Sequence, residues 1–250
     1  MSLCDFLRKQ SWFNWLANVF ACPKPAITPQ VWTISNGPIS VSTSSQYGGA
    51  INSLKWNGIE FVNDTDHGRQ IQTAAQFDNL GEACNPTEAG SVNDGNGNTS
   101  SSSGLAVSVV DNVIHSSVNM AYWQPYQGQI VSGCILKKAI SINGNAVKVD
   151  LNIQVPSNHS SSAFEVLTGY LPSNFSLLQD HILSIPDGSA AMGIYAPGLT
   201  WVPQMGIAAD TNKWSVTHGF GGTPAATYSW SVSTIVGPLD YVKTSLEALA

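Results

Sequence analysis

Two Asn-Gly dipeptides, each set between runs of β-forming residues, constrain this chain more than any other feature. Asn57-Gly58 separates AINSLKW from IEFVN, and Asn143-Gly144-Asn145 separates CILKKAISI from AVKVDLNIQV. A two-residue hairpin loop needs positive φ to match the twist of its strands, and Asn and Gly reach that region at the lowest steric cost. Asn36-Gly37-Pro38, between VWTI and ISVSTS, and Asp111-Asn112, between LAVSVV and VIHSSVNMAYW, mark two more reversals. AFEVLTGYLP, SLLQDHILSI, SAAMGIYAP, WVPQMGIAA, KWSVTHGF and TYSWSVSTIV continue the pattern. About a dozen or more short strands with turn signals, and no fixed repeat, predict an antiparallel all-β sandwich or supersandwich rather than a propeller or small barrel. DYVKTSLEAL closes the chain as a short helix, with Val242, Leu246 and Leu249 on one face. In AINSLKW neither alternate set is uniformly apolar, so that strand shows no clean core face.

Residues 1–27 read differently. MSLCDFLRKQ is basic at Arg8 and Lys9, an apolar run follows, and Ala21-Cys22 precedes a Pro-rich linker. That order fits an export signal with Cys22 as a lipid-anchor site. Trp12, Trp15, Leu16, Val19 and Phe20 also share one helical face, which fits an amphipathic helix docked on the domain, a partner or a membrane surface. Export or lipid anchoring and a cytoplasmic location both remain expectations. The segment is too short and polar to span a bilayer. Residues 28–250 are expected to form one domain, as all-β chains of this length commonly do.

Charge narrows the function. Only 10% of residues are Asp, Glu, Lys or Arg, and the net charge is -6. This argues against a nucleic-acid phosphate-binding surface. The polarity comes instead from Ser, Thr, Asn, Gln and Gly, groups suited to sugar hydroxyls. Cys4, Cys22, Cys84 and Cys134 lack CxxC spacing, which argues against zinc; Cys84 and Cys134 are either a disulfide or buried thiols. P-loop, HExxH, EF-hand and G-x-S-x-G patterns are absent, and no cofactor is expected.

The chemistry concentrates in Asp66–Gly90, DHGRQIQTAAQFDNLGEACNPTEAG. RQIQTAAQF reads as a strand or a short helix, and Asn85-Pro86 turns the chain after it. The stretch resembles the GRxIQ…F…G…NPTEAG pattern of the galactose mutarotase-like (aldose epimerase-like) superfamily. The resemblance extends to YGGAINSLKWNGIEFVN, MAYW, EVLTGYLP and the closing strand, Gly-Pro turn and helix. It implies a β-supersandwich and a sugar ligand.

In such a site Arg69 donates to hydroxyls or a carboxylate, and His67 is a general acid or base. Otherwise Arg69 forms a turn pair with Asp66. Glu88, fixed between Pro86 and Gly90, is the best-aimed carboxylate, with Asn85 beside it; both could equally close the loop. Glu165 sits in an otherwise uncharged strand, and strict alternation puts it on the side of Leu167 and Gly169. A Glu88–Glu165 pair would suit acid/base work. Trp123, with Tyr122 and Tyr126, offers an aromatic platform or core packing. His218, in THGFGG, has the surroundings of a site rim, whereas His115, His159 and His181 read as structural.

The implied activity is anomer interconversion, which needs a base for the anomeric hydroxyl and an acid for the ring oxygen. The family's tandem histidines and late glutamate have no counterpart here. The alternatives are a glycan-binding module, or a lyase acting on uronate glycans with Arg69 or Asn85 as neutraliser and Tyr170 or His67 as base.

Overall fold

The computed structural model describes residues 29–65, 68–78, 84–85, 104–122, 131–179, 181–208 and 211–249, with backbone alone for 84, 85, 121, 122, 131, 132 and 208. The strands are β1 (Val31–Asn36), β2 (Ile39–Ser44), β3 (Ile51–Trp56), β4 (Ile59–Glu60), β5 (Gln72–Phe77), β6 (Cys84–Asn85), β7 (Ala106–Val110), β8 (Val113–Tyr122) and β9 (Val131–Asn143). They continue as β10 (Ala146–Val155), β11 (Ser162–Pro172), β12 (Ser176–Gln179), β13 (Ile182–Ser184), β14 (Ala191–Tyr195), β15 (Thr200–Ala208), β16 (Thr211–Phe220) and β17 (Ala226–Gly237). The helix α1 (Leu239–Glu247) closes the chain.

β1 to β4 form a four-stranded meander. The other thirteen strands form one sheet in the order β12-β13-β14-β17-β10-β9-β8-β6-β5-β11-β16-β15, with β7 paired to β8. All the pairings are antiparallel. The expected all-β fold with one short C-terminal helix is what the described residues adopt.

The turn residues perform as their chemistry requires. Asn57 and Gly58 take φ of 47° and 81°, and Asp111 and Asn112 take 50° and 58°, both type I′ signatures. Gly37 and Gly144 supply positive φ at the two other reversals. The ambiguous β3 is resolved by a bulge: Ser42 pairs with Ser53, but Thr43 pairs with Ile51, leaving Asn52 extra. Ile51 and Leu54, of opposite parity, are thereby both buried.

Alternation then builds the core. On β10, Val147, Val149, Leu151, Ile153 and Val155 are buried while Lys148 and Gln154 are exposed. These valines and leucines join Val41 and Leu54 of the meander, Phe77, Val118, Leu136, Phe164, Trp214 and Val216 in one cluster. The meander therefore lies against the inner face of the large sheet, and the opposite face is left for other work.

α1 caps a smaller cluster: Val242 is buried against Ile182, Ala191 and Ile235, with Leu239 and Leu246 packed beside it. Leu249 does not join them and is exposed. The helix sits so close to β14 that a Cβ on Gly193 would lie 2.7 Å from both Val242 Cγ1 and Leu246 Cδ1. Gly193→Ala is therefore expected to destabilise by about 1–3 kcal/mol through overpacking, read as a lowered urea midpoint. An unchanged midpoint would mean that the helix docks loosely.

Candidate active site on the outer face of the large sheet

Towards its β15 end the large sheet is covered on both sides. Residues 211–216 of β16 and 72–75 of β5 are buried irrespective of parity. One side is the apolar core. The other is polar, and its side chains meet through cross-strand registers.

A bulge sets which residues share that polar side. Glu165 pairs with Thr217, but Leu167 pairs with Val216, so Val166 is the extra residue of β11. Parity flips there. Strict alternation placed Glu165 with Leu167 and Gly169; the fold instead puts it with Thr168 and Tyr170, which pair with Ser215 and Lys213. On the other flank Glu165 pairs with Ala74, and Thr168 with Gln72.

Glu165 is the focus of this surface. Its Oε1 accepts from Lys213 Nζ at 2.7 Å and from Ser215 Oγ at 3.4 Å. Its Oε2 is buried and has no hydrogen-bond partner among the described residues. The Lys213 ammonium also lies 5.5 Å from the centroid of the Tyr170 ring. A buried carboxylate oxygen without a donor is costly, and such groups cluster where a ligand supplies the donor. Beside Glu165 lies a depression of about 270 Å³ bordered by Ala74, Gln76, Ala163 and Thr217. The two alanines, small residues amid polar neighbours, make it.

Arg69 reaches the same face. Its Nη1 donates to Thr211 Oγ1 at 2.5 Å, and Thr211 lies two residues before Lys213 on β16. Asn63 Nδ2 donates to the same hydroxyl at 2.6 Å. The Gly68–Gln72 segment is fixed by its own side chains: Gln70 Oε1 accepts from Gly68 N, and Gln72 Nε2 donates to Gly68 O. Gln70 Nε2 in turn donates to Asp64, whose carboxyl is pushed above the usual range, chiefly by burial. RQIQTAAQF is thus a turn leading into a strand, and Arg69 stands at its entry.

The sequence-derived site divides. Arg69, Glu165 and Tyr170 come together. His218 does not join them: it pairs with Phe164 on the inner face, its ring 4.3 Å from that of Phe220. Asn85 lies in β6, hydrogen-bonded between β5 and β8, two strands from Glu165, but its side chain is outside the described set. His67, Glu88 and Trp123, the expected acid/base partners and aromatic platform, fall outside the described residues, as do residues 1–28 and 91–103. So does the side chain of Cys84; Cys134 is buried. His159 is structural as expected: its Nδ1 meets Asp78 Oδ2 at 2.8 Å, and this bond, with those from Ser160, holds the Asp78 carboxyl down at about 2.

Lys213, Ser215 and Thr211 were missed. Their period-two polar spacing in TNKWSVT was the available signal. No group of His, Cys, Asp and Glu able to hold a metal occurs among the described residues.

The architecture of the described residues is an antiparallel β-supersandwich. No protein-family model matches the sequence, and no curated protein matches it. Solved structures do match. A 4-α-glucanotransferase from Thermococcus litoralis superposes with a TM-score of 0.51 at 9% identity, over 85% of this chain and 40% of that one. A provisionally assigned aldose 1-epimerase from Escherichia coli K12 superposes with a TM-score of 0.50 at 12% identity, over 85% of this chain and 100% of that one. At such identities the likeness is one of fold, and the chemistry rests on the residues above.

Proposed function

We propose that this protein binds a sugar on the outer face of the large sheet, with Glu165 as the central acceptor. The observation that carries this reading is the Glu165 carboxylate. One oxygen is held by Lys213 at 2.7 Å, and the other is buried without a partner among the described residues, beside a depression of about 270 Å³. A sugar hydroxyl supplies the missing donor, while the ion pair fixes the carboxylate's direction. Ser215, Thr217 and Gln76 add neutral hydrogen-bonding groups of the kind that recognise hydroxyls. Arg69, pinned by Thr211, gives the face a planar donor.

Binding is favoured over anomer interconversion by one geometric fact. An acid and a base must flank the reacting ring, whereas the acid and base that meet at this site among the described residues, Glu165 and Lys213, touch each other. Two of the matched structures, described as a 4-α-glucanotransferase and an aldose 1-epimerase, support a carbohydrate ligand.

The test is saturation-transfer NMR against neutral and acidic sugars, on wild type and on Glu165→Gln. The variant keeps the shape but removes the charge that holds Lys213. Its affinity is expected to fall about tenfold or more, the loss of one charge-assisted hydrogen bond. Unchanged binding in Glu165→Gln would move the site elsewhere. Anomer exchange rates on the same samples check catalysis, and acceleration lost in the variant would make the protein an epimerase.

A further inference from the structure

The closing helix leaves a hollow beside it that the sugar site does not use. Its volume is about 370 Å³, and no residue bordering it also borders the depression at Glu165. Small-molecule sites commonly measure about 300–1,000 Å³ and set a few converging polar groups over an apolar floor. This hollow has that make-up, and no sequence motif pointed to it.

The floor is aliphatic. Ile182 of β13 and Ile194 of β14 are buried there, and Leu246 of α1 packs against the cluster that holds Ile182. Polar side chains stand around it on three elements. Tyr195 ends β14. His181 makes the turn between β12 and β13 in a left-handed backbone conformation, φ 65°, and its carbonyl accepts from Ile194 N at 2.9 Å. Its ring rests against Trp201, 5.1 Å between centroids, which fixes the imidazole at the rim. The third wall is the flank of α1, with Lys243 and Glu247.

Those two charges are the informative pair. They lie four residues apart, so one helical turn separates them, about 5–6 Å at Cβ. Yet the ion pairs among the described residues are Lys148–Asp150, His159–Asp78 and Lys213–Glu165; none joins Lys243 to Glu247. Local energetics do not account for Glu247 either. It is the last residue of α1, where the helix dipole favours a cation, and the last turn carries no basic residue. A cationic group set beside Glu247 is stabilised by the carboxylate and by the helix end together. One turn back, Lys243 offers its ammonium to an anion, and Tyr195 offers a neutral donor. The rim therefore calls for a cation and an anion one turn apart, over an aliphatic floor.

We propose that this hollow binds an apolar α-amino acid as its zwitterion. The ammonium sits beside Glu247, the carboxylate on Lys243 and Tyr195, and the side chain on Ile182, Ile194 and Leu246. The inference stands apart from the reading of Glu165 as a sugar acceptor. A neutral sugar would bring no charge to either rim group and would lay hydroxyls on the aliphatic floor. A phosphate would answer Lys243 but meet Glu247.

The experiment is titration calorimetry of the full chain with leucine and three analogues. Isocaproate keeps the side chain but lacks the ammonium, isoamylamine lacks the carboxylate, and glycine lacks the side chain. The same probes are run against Glu247→Gln and Lys243→Met. Both positions lie outside the core clusters, and thermal melting checks that the variants fold. Leucine is expected to bind at least about tenfold more tightly than isocaproate or isoamylamine, the worth of one charge-assisted hydrogen bond. It is expected to exceed glycine by a similar factor through side-chain burial. Glu247→Gln should bring leucine down to the level of isocaproate without weakening isocaproate. Lys243→Met should bring leucine down to the level of isoamylamine without weakening isoamylamine. Leucine bound no more tightly than its analogues, equal losses of every probe in either variant, or no binding of leucine overturns the proposal. Each of those outcomes leaves the Glu165 site untouched.

Discussion

Lys138→Met is expected to stabilise this protein at pH 6 by about 2–4 kcal/mol, and the advantage is expected to vanish near pH 10. Lys138 is on the inner face of β9 and only 4% exposed. Its Nζ donates to the carbonyl of Gly49 at 2.7 Å, across the gap to the four-stranded meander. Its cross-strand neighbours are Ser116 and Leu151, and no carboxylate contributes to its titration. Burial alone pushes its pKa down from 10.5 to about 7. The unfolded chain therefore holds more protons than the native one between those two values, and stability rises as pH increases through that window. At most the rise is about 5 kcal/mol, since each unit corresponds to about 1.4 kcal/mol. Below pH 7 the native protein carries a buried ammonium with one carbonyl for a partner among the described residues.

Methionine has nearly the same length and carries no charge, so it removes the penalty. It also leaves the Gly49 carbonyl without a donor, which takes back about 1–2 kcal/mol and makes wild type the more stable form at high pH. Urea denaturation of both proteins from pH 6 to pH 10 measures the difference. Histidines and other lysines titrate in both and cancel. Parallel stability curves would show that Lys138 finds water or a further partner in solution, and the account of its burial would fail.

Lys138 also illustrates what the sequence conveyed and what it withheld. CILKKAISI read as a strand, and it is one. Alternation puts one of two adjacent lysines inward, but the inward one follows only from which face meets the meander. The hairpins were legible because Asn-Gly and Asp-Asn report their own backbone conformation, a local property. The closing helix was legible for the same reason, except that Leu249 lies past its end.

The site was legible only in part. Arg69, Glu165 and Tyr170 were recognised as capable residues, but their partners are tertiary. Thr211 is 142 residues from Arg69, and Lys213 is 48 from Glu165. Parity was misread on β11 because a bulge leaves no mark in AFEVLTGY: Val166 looks like any other strand valine. His218 was drawn toward the site by its glycine neighbours, yet its place on β16, between Thr217 and Gly219, turns it to the aromatic side. A strand pattern constrains which residues share a face only until the first bulge.

Trp214 is where the second large effect is expected. It is fully buried, and its indole lies flat against Gly169 on the paired strand. A Cβ on Gly169 would come within 2.6 Å of Nε1 and 2.8 Å of Cζ2. Trp201 stacks on its far side with ring centroids 6.2 Å apart. Trp214→Ala should cost about 3–5 kcal/mol, because the cavity is walled by sheet backbone that collapses poorly. Gly169→Ala should cost about 1–3 kcal/mol by overpacking alone, since its φ is not in the left-handed region and alanine is otherwise acceptable there.

The two changes are coupled if the contact is what matters. In Gly169→Ala/Trp214→Phe the smaller ring makes room for the methyl group, so the double variant should be more stable than the sum of the single losses predicts, by about 1 kcal/mol. Denaturation of the four proteins gives the cycle directly. Additive losses would mean that Gly169 is there for backbone reasons and that the indole is not held by it. The consequence for the site is mechanical. Trp214 stands between Lys213 and Ser215, which project to the opposite face and hold Glu165. Trp214→Phe, which keeps the strand packed, should spare sugar affinity, while Gly169→Ala, which pushes β16 away from β11, should weaken it together with stability.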